Sequence, residues 1–340
     1  MKKILIVGGG IAGLIANWVF KQHKDVEVSV MEPGKPGGDF LAGGLRYIHA
    51  SDEMVSMMTD NRITFTNYQV NGGIMLKGKV EPYPTVLKSM PREHAERIQH
   101  DHYRKTRRTE PDGNDAAKSM NDPEAMGSRF ALRTDAPRLI RQLEAQADII
   151  CDGAVEVRTN NQTVMPRVLG TSGVSRPYDY LIMTIPLWAI RNMVPWFVPE
   201  AFALKLNVCN VDVTRDPLSK WDYCYTPYTP GNLIHRISPR DGGWTVEFNG
   251  DWIDKDDETS VALTSDLNFI FPGGWALNAV RKGLNGHLLP LESQPEWPEN
   301  VRPIGRFAEW DSRATADVVL SNCWKLANSW GFKRRNIPHD

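Results

Sequence analysis

The hydrophobic pattern changes three times within the first thirty-odd residues. Lys3 to Val7 is a short apolar, β-branched run suited to a strand buried on both faces. Leu14 to Lys21 carries its apolar side chains at helical spacing, and Val26 to Met31 alternates as a second strand that ends at Glu32. Gly8, Gly9 and Gly10 separate the first strand from the helix, so the stretch predicts a βαβ unit. Further along, Leu204 to Thr214, Trp221 to Thr226, Asn232 to Ser238 and Gly243 to Asn249 are alternating or β-branched runs broken by Pro-Gly and Pro-Arg-Asp-Gly-Gly, which predicts an antiparallel sheet. Met90 to Gly127 is polar throughout and predicts a solvated helix and excursion with a basic run at Arg104 to Arg108.

The turn in the βαβ unit reads Gly8-x-Gly10-x-x-Gly13, and each glycine has a task. Gly8 permits the tight turn, Gly10 lets backbone approach a pyrophosphate, and Gly13 lets helix and strand pack closely. The helix N-terminus then offers unpaired N–H groups and a positive dipole end to phosphate, with Ala12 in its first turn. Glu32, nineteen residues after Gly13, is placed to accept hydrogen bonds from ribose hydroxyls. Dinucleotide binding is the expectation, against a glycine turn of purely structural use.

Composition narrows the classes. With 340 residues, 41% hydrophobic and 24% charged, the chain is neither disordered nor fibrous, and its length predicts two packed domains or one domain with a large insertion. Forty basic against forty-one acidic residues leave a formal charge of -1, so no global field draws it to nucleic acid or membrane. No run approaches the roughly 18 apolar residues of a membrane span. Gly8 to Gly10 interrupt the apolar run after Lys3 too early for a signal peptide. The four cysteines show neither CxxC nor metal-ligand spacing, so free thiols, no metal and a cytoplasmic location are expected.

After Glu32 the chain carries two glycine doublets, Gly37-Gly38 and Gly43-Gly44, the second opening Gly44-Leu45-Arg46-Tyr47-Ile48-His49. Here it resembles the FAD-binding superfamily of amine oxidases, protoporphyrinogen oxidase and UDP-galactopyranose mutase. The resemblance implies FAD, with Gly37 and Gly38 near its pyrophosphate and Gly44, Leu45 and Arg46 beside the flavin, Arg46 standing where the mutases have a histidine. Asp148 to Val157 resembles the strand whose valine backbone meets the adenine, making Val155 the candidate. Tyr178 to Leu187 resembles the strand returning to the nucleotide domain, with Thr184 in it. Val301 to Asp317 resembles the C-terminal flavin motif, with Arg306 and Asp317, leading into a helix whose N-terminus faces the isoalloxazine. The implied fold class is α/β: a Rossmann-like FAD-binding domain of glutathione-reductase type with an inserted antiparallel-sheet substrate domain. Its parts would be a discontinuous FAD domain at 1–50, 130–190 and 300–335, an insertion with a polar basic arm at 51–129, and a substrate domain at 191–299.

In such a protein the cofactor carries the reactivity. No Ser-His-Asp order, Walker lysine or metal cluster competes with that reading. The resemblance implies oxidation of a C–N bond in an amine or amino-acid-type substrate, free, nucleotide-linked or on a modified nucleobase in DNA. Nucleic acid as a partner rests on Arg104 to Arg108 alone. His49 is the residue expected nearest the flavin, where its near-neutral pKa suits proton transfer. Tyr47, Trp275 and Trp310 would frame the substrate, and Tyr228, His235 and Arg236 would contact it from the sheet. Two alternatives stand beside this: a mutase-like nucleotide-sugar enzyme using reduced FAD without net redox change, with Arg236 and Arg281 as diphosphate clamp, and a non-catalytic binding protein of the same architecture. The chain is shorter than typical members, and no cysteine matches a covalent flavin link.

Overall fold

The computed structural model describes residues 1–38, 48–83, 85–105, 130–133, 136–159, 166–240, 243–248, 257–288, 291–310 and 314–335. Gly44, Leu45, Arg46, Tyr47 and the 106–108 part of the basic run lie outside the described residues. The expected βαβ unit is β1 (Lys2–Val7), α1 (Ile11–Lys21) and β2 (Val26–Met31). Next come β3 (Ile48–His49), α2 (Asp52–Asp60), β4 (Thr66–Gln69), β5 (Gly72–Leu76), β6 (Lys79–Pro82), α3 (Thr85–Ser89), α4 (Arg92–Lys105), β7 (Phe130–Arg133) and α5 (Ala136–Glu144). The chain continues through β8 (Ile149–Ile150), β9 (Ala154–Arg158), β10 (Arg167–Gly170), β11 (Ser175–Pro177), β12 (Tyr180–Met183) and α6 (Leu187–Arg191). It closes with β13 (Ala203–Val213), β14 (Tyr223–Tyr225), β15 (Ile234–Arg240), β16 (Gly243–Phe248), α7 (Asp257–Ile270), β17 (Trp275–Leu288), β18 (Val301–Pro303) and α8 (Ala316–Ser329).

Strands from both ends and the middle of the chain build a five-stranded parallel sheet in the order β18-β12-β1-β2-β8. Its first strand is apolar on consecutive positions because both faces are covered. Ile4 and Ile6 join a core with α1, α2, α5 and α8, while Leu5 and Val7 join another with β9, β10 and α6. The strand expected over 148–157 is two strands, interrupted at Cys151 to Gly153, where Asp152 turns into a hydrogen-bonded knot. Its second half belongs to a three-stranded antiparallel sheet, β11-β10-β9, that connects β8 to β12.

The four runs expected to form an antiparallel sheet are β13 to β16, but the sheet is larger and mixed. Its order is β17-β13-β16-β15-β14-β5-β6, and β14 pairs with β5 in parallel. Strands β5 and β6 come from residues 72–82, inside the stretch read as an insertion, so that stretch and the substrate-domain stretch share one sheet. One face of the sheet is apolar and packs on α7 through Trp244, Val246, Phe248, Leu263 and Leu267. Among the described residues no helix is long and apolar enough to cross a membrane.

Candidate functional site

The glycine turn has the geometry its spacing demands. Gly8 has φ +109°, and a Cβ on it would lie 2.5 Å from Thr184 Oγ1. A Cβ on Gly13 would lie 1.9 Å from the Gly8 carbonyl oxygen, so only glycine allows α1 to sit this close to β1. Gly10, the N-cap of α1, differs: among the described residues a Cβ there would meet nothing within 4 Å. Among the described residues, then, nothing crowds the Gly10 end of the helix N-terminus.

Other segments come to this turn. The Glu32 carboxylate accepts the Gly9 N–H at 2.7 Å and the Gly34 N–H at 2.9 Å, one on each oxygen, which leaves further lone pairs for hydroxyl donors. Gly37 donates its N–H to the Gly9 carbonyl at 2.9 Å and bridges to Gly10, and Gly38 follows with φ +50°. Thr184 is turned onto the backbone of the turn, its hydroxyl oxygen 3.0 and 2.9 Å from the Val7 and Gly8 carbonyl oxygens. Gly305, φ +99°, packs so closely on Ala12 that a Cβ would stand 2.8 Å from the alanine Cβ. The sequence reading missed Gly9 and Gly305, whose need for glycine is set by contacts with Glu32 and Ala12 rather than by local spacing.

The segment after Gly305 carries Arg306, whose guanidinium lies 5.7 Å from the Phe307 ring centre. Glu309 accepts the Gly305 N–H at 2.9 Å and the Asn322 side-chain amide at 3.0 Å, which ties this segment to α8. Trp310 is a bulky residue in the left-handed region, φ +58°, and its indole packs edge-on against Trp188, 5.8 Å between ring centres. Phe307 lies 6.1 Å from the same Trp188. Asp317 occupies the first turn of α8 and accepts the Thr315 hydroxyl at 2.6 Å.

On the other flank, Glu32 donates its N–H to the Ile150 carbonyl at 3.0 Å, which sets the 151–155 loop beside it. Val155 is 46% exposed, and the β9–β10 register skips it, passing from Glu156 to Ala154 across a bulge. Asp152 in that loop is held down to about 2 by the hydroxyls of Ser172 and Thr171.

The sheet face opposite α7 carries a buried charged group. The β15–β16 register runs from Ile234 opposite Phe248 to Arg236 opposite Glu247, so His235 is the extra residue of a bulge. The bulge turns two consecutive side chains to one partner: Arg236 Nε and Nη2 lie 2.8 and 2.7 Å from Glu247 Oε2, and His235 Nε2 lies 3.4 Å from the same oxygen. His235 and Glu247 are buried, while Arg236 keeps 28% of its side chain exposed. Tyr225 stands opposite Arg236, and Val208 stands between Glu247 and Arg281 in register. These residues form one cross-strand line.

Three sequence-derived candidates lie elsewhere. Trp275 does not join this group: it packs with the α7 side of the sheet, its indole N–H on Asn268 at 3.0 Å, because its strand position points it to the apolar face. Tyr228 is 41% exposed and donates its hydroxyl to Asp101 of α4 at 2.7 Å; burial and that carboxylate push the phenol up to about 12. His49 is half-buried in β3, paired with Ala131, next to Ile48 in the core that holds α1 and α8. Among the described residues, no group of three His, Cys, Asp or Glu side chains is placed to hold a metal, and the four cysteines are free.

No protein-family model matches the chain, and no curated protein matches its sequence. Solved structures do match over nearly its whole length. A reduced UDP-galactopyranose mutase aligns with 14% identity and a TM-score of 0.68, covering 97% of this chain and 96% of that one. An oxidoreductase from Methanosarcina mazei aligns with 12% identity and a TM-score of 0.63, covering 94% and 99%. A protoporphyrinogen oxidase from Exiguobacterium aligns with 13% identity and a TM-score of 0.57, covering 96% and 99%. The chain shares its fold with these proteins.

Proposed function

We propose that the chain is an FAD-dependent oxidoreductase. The observation that carries this reading is the convergence of Gly8, Gly37, Thr184 and Gly305, from separate parts of the chain, around the glycine turn and the N-terminus of α1. A diphosphate set there meets the amides and positive end of α1, and Glu32 has lone pairs left for ribose hydroxyls. The strand order β18-β12-β1-β2-β8, with an antiparallel meander between β8 and β12, supports the glutathione-reductase-type subdivision of the fold.

When bound, FAD supplies a two-electron acceptor. The protein's own part is binding, orientation and exclusion of water. We take the substrate to be an amine or amino-acid-type molecule oxidised at its C–N bond. In support, Phe307 and Trp310 of the segment that leaves Gly305 form a half-buried aromatic group with Trp188 of α6. Apolar walls favour the uncharged amine, the form that can release a hydride, over the ammonium ion. The left-handed backbone of Trp310 is strain of the kind found at working sites. His49 is our candidate for moving the proton. The purified protein should carry the visible flavin bands, and anaerobic addition of its substrate should bleach them. A protein that neither carries nor takes up FAD would refute the reading.

A second reading is favoured by the sheet. Arg236 and Arg281, the residues suggested for a diphosphate clamp, hold register positions on one cross-strand line, and the reduced mutase is among the similar structures. On this reading turnover appears only after reduction by dithionite and consumes no reductant. A DNA-borne substrate rests on the basic run at 104–108, of which 106–108 lie outside the described residues.

A further inference from the structure

Cys151, Asp152 and Gly153 join β8 to β9, and their order depends on one carboxylate. Asp152 is 4% exposed. Its Oδ1 accepts the Thr171 hydroxyl at 2.7 Å and the Ser172 amide at 3.1 Å; its Oδ2 accepts the Ser172 hydroxyl and faces the Arg176 guanidinium at 3.4 Å. Backbone bonds double the link, with Thr171 N–H donating to the Gly153 carbonyl at 2.8 Å and Gly153 N–H to Thr171 Oγ1 at 3.3 Å. Gly170 lies so close that a Cβ there would stand 2.0 Å from Asp152 Oδ2.

The loop held in this way borders Glu32. Besides the bond from Glu32 N–H to Ile150, a Cβ on Gly153 would stand 3.5 Å from Pro33 Cβ. Val155 follows two residues later, at the bulge where the β9–β10 register passes it over. The 151–155 backbone thus runs beside Glu32, the residue to which the dinucleotide reading gives the ribose.

We propose that Asp152 is a positioning residue for the adenosine half of the dinucleotide: it holds the 151–155 backbone beside Glu32 and so presets the groove that the adenosine enters. The proposal rests on the dinucleotide reading above. Its physical basis is preorganisation. A loop without this anchor samples many conformations, and binding must then order it at the expense of affinity. The carboxylate is suited to the task because its donors come from the Thr171–Ser172 turn and from β11, so it fastens two segments to a third. Its lowered pKa keeps it an acceptor throughout the neutral range.

The test uses the full chain with FAD and with ADP as a competing ligand, at a temperature where all variants are folded by circular dichroism. In Asp152→Ala the dissociation constants for FAD and ADP rise together by about tenfold or more, the loss of roughly one charge-assisted hydrogen bond's worth of order. The visible spectrum of FAD at saturation stays that of the parent protein, since the flavin end is untouched. Ser172→Ala, a milder change in the same knot, moves both constants in the same direction by a smaller factor and serves if Asp152→Ala does not fold. A lowered melting temperature with both constants within twofold of the parent would make Asp152 merely structural and overturn the proposal. A changed spectrum of the bound flavin would overturn it as well. A parent protein that binds neither ligand would instead defeat the dinucleotide reading, an outcome distinguishable from the other two.

Discussion

A Cβ on Gly13 would lie 1.9 Å from the carbonyl oxygen of Gly8, whereas one on Gly10 would meet nothing among the described residues within 4 Å. Two glycines of one motif therefore serve different ends, and alanine at each should separate them. Gly13→Ala forces α1 away from β1 and should cost about 1–3 kcal/mol of stability, as overpacking does. Gly10→Ala should leave the melting temperature nearly unchanged while weakening dinucleotide binding, because its methyl occupies the ground before the helix. Thermal unfolding paired with FAD titration checks both; equal melting temperatures for the two variants would contradict the assignment.

Asp266 of α7 fastens the loop between β14 and β15. Its Oδ1 accepts the Gly231 N–H at 2.5 Å, and its Oδ2 accepts those of Leu233 and Ile234, each at 2.9 Å. Asp266→Ala leaves three amides without their acceptor and should lower stability by about 3 kcal/mol. Gly231→Ala should be similarly damaging, since its Cβ would stand 2.0 Å from the Ala262 carbonyl oxygen. Urea unfolding measures both, and a loss below about 1 kcal/mol for Asp266→Ala would show the anchor to be dispensable.

Tyr178 is fully buried and its hydroxyl has no hydrogen-bond partner among the described residues; burial pushes the phenol well above its usual pKa. Removing an unsatisfied hydroxyl while keeping the ring should not harm the fold. Tyr178→Phe is expected to be neutral or to stabilise by about 1 kcal/mol, an unusual outcome for a change in a core. A marked fall in the urea midpoint would count against it.

His23 is buried, with Nδ1 3.0 Å from the Val19 carbonyl oxygen and Nε2 without a partner among the described residues. Burial holds its pKa below the ordinary value of 6.5. Above that value the ring is neutral in both folded and unfolded chains, and pH has no effect through it. Below it the unfolded chain takes up a proton that the folded chain resists, so stability falls as pH drops through 6.5 and levels off beneath the folded-state pKa. Urea midpoints between about pH 8 and pH 5 should decline less steeply in His23→Gln than in the parent. Parallel slopes would remove His23 as the source.

Much of the glycine turn was legible because its demands are local. A strand buried on both faces, a helix at 3.6-residue spacing and a second strand leave their periods in about thirty residues, and the glycines between them answer steric needs set by the turn itself. The runs at β13 to β16 were legible for the same reason. What periodicity did not convey was partnership. Nothing local in residues 72–74 announces that they pair with Tyr223 to Tyr225, and nothing local in Trp275 tells which side of its sheet will be dry.

The sequence by itself determined the βαβ unit, the need for glycine at Gly8 and Gly13, and the acid at the end of β2, Glu32, since these follow from steric and periodic constraints between near neighbours. Only the tertiary structure decided that Gly37, Thr184 and Gly305 meet at that turn, that a one-residue bulge aims both His235 and Arg236 at Glu247, and that Asp152 pins the loop beside Glu32. Those relations depend on register and on closing loops of many residues, where a shift of one position would turn every side chain to the opposite face and leave the same sequence pattern behind.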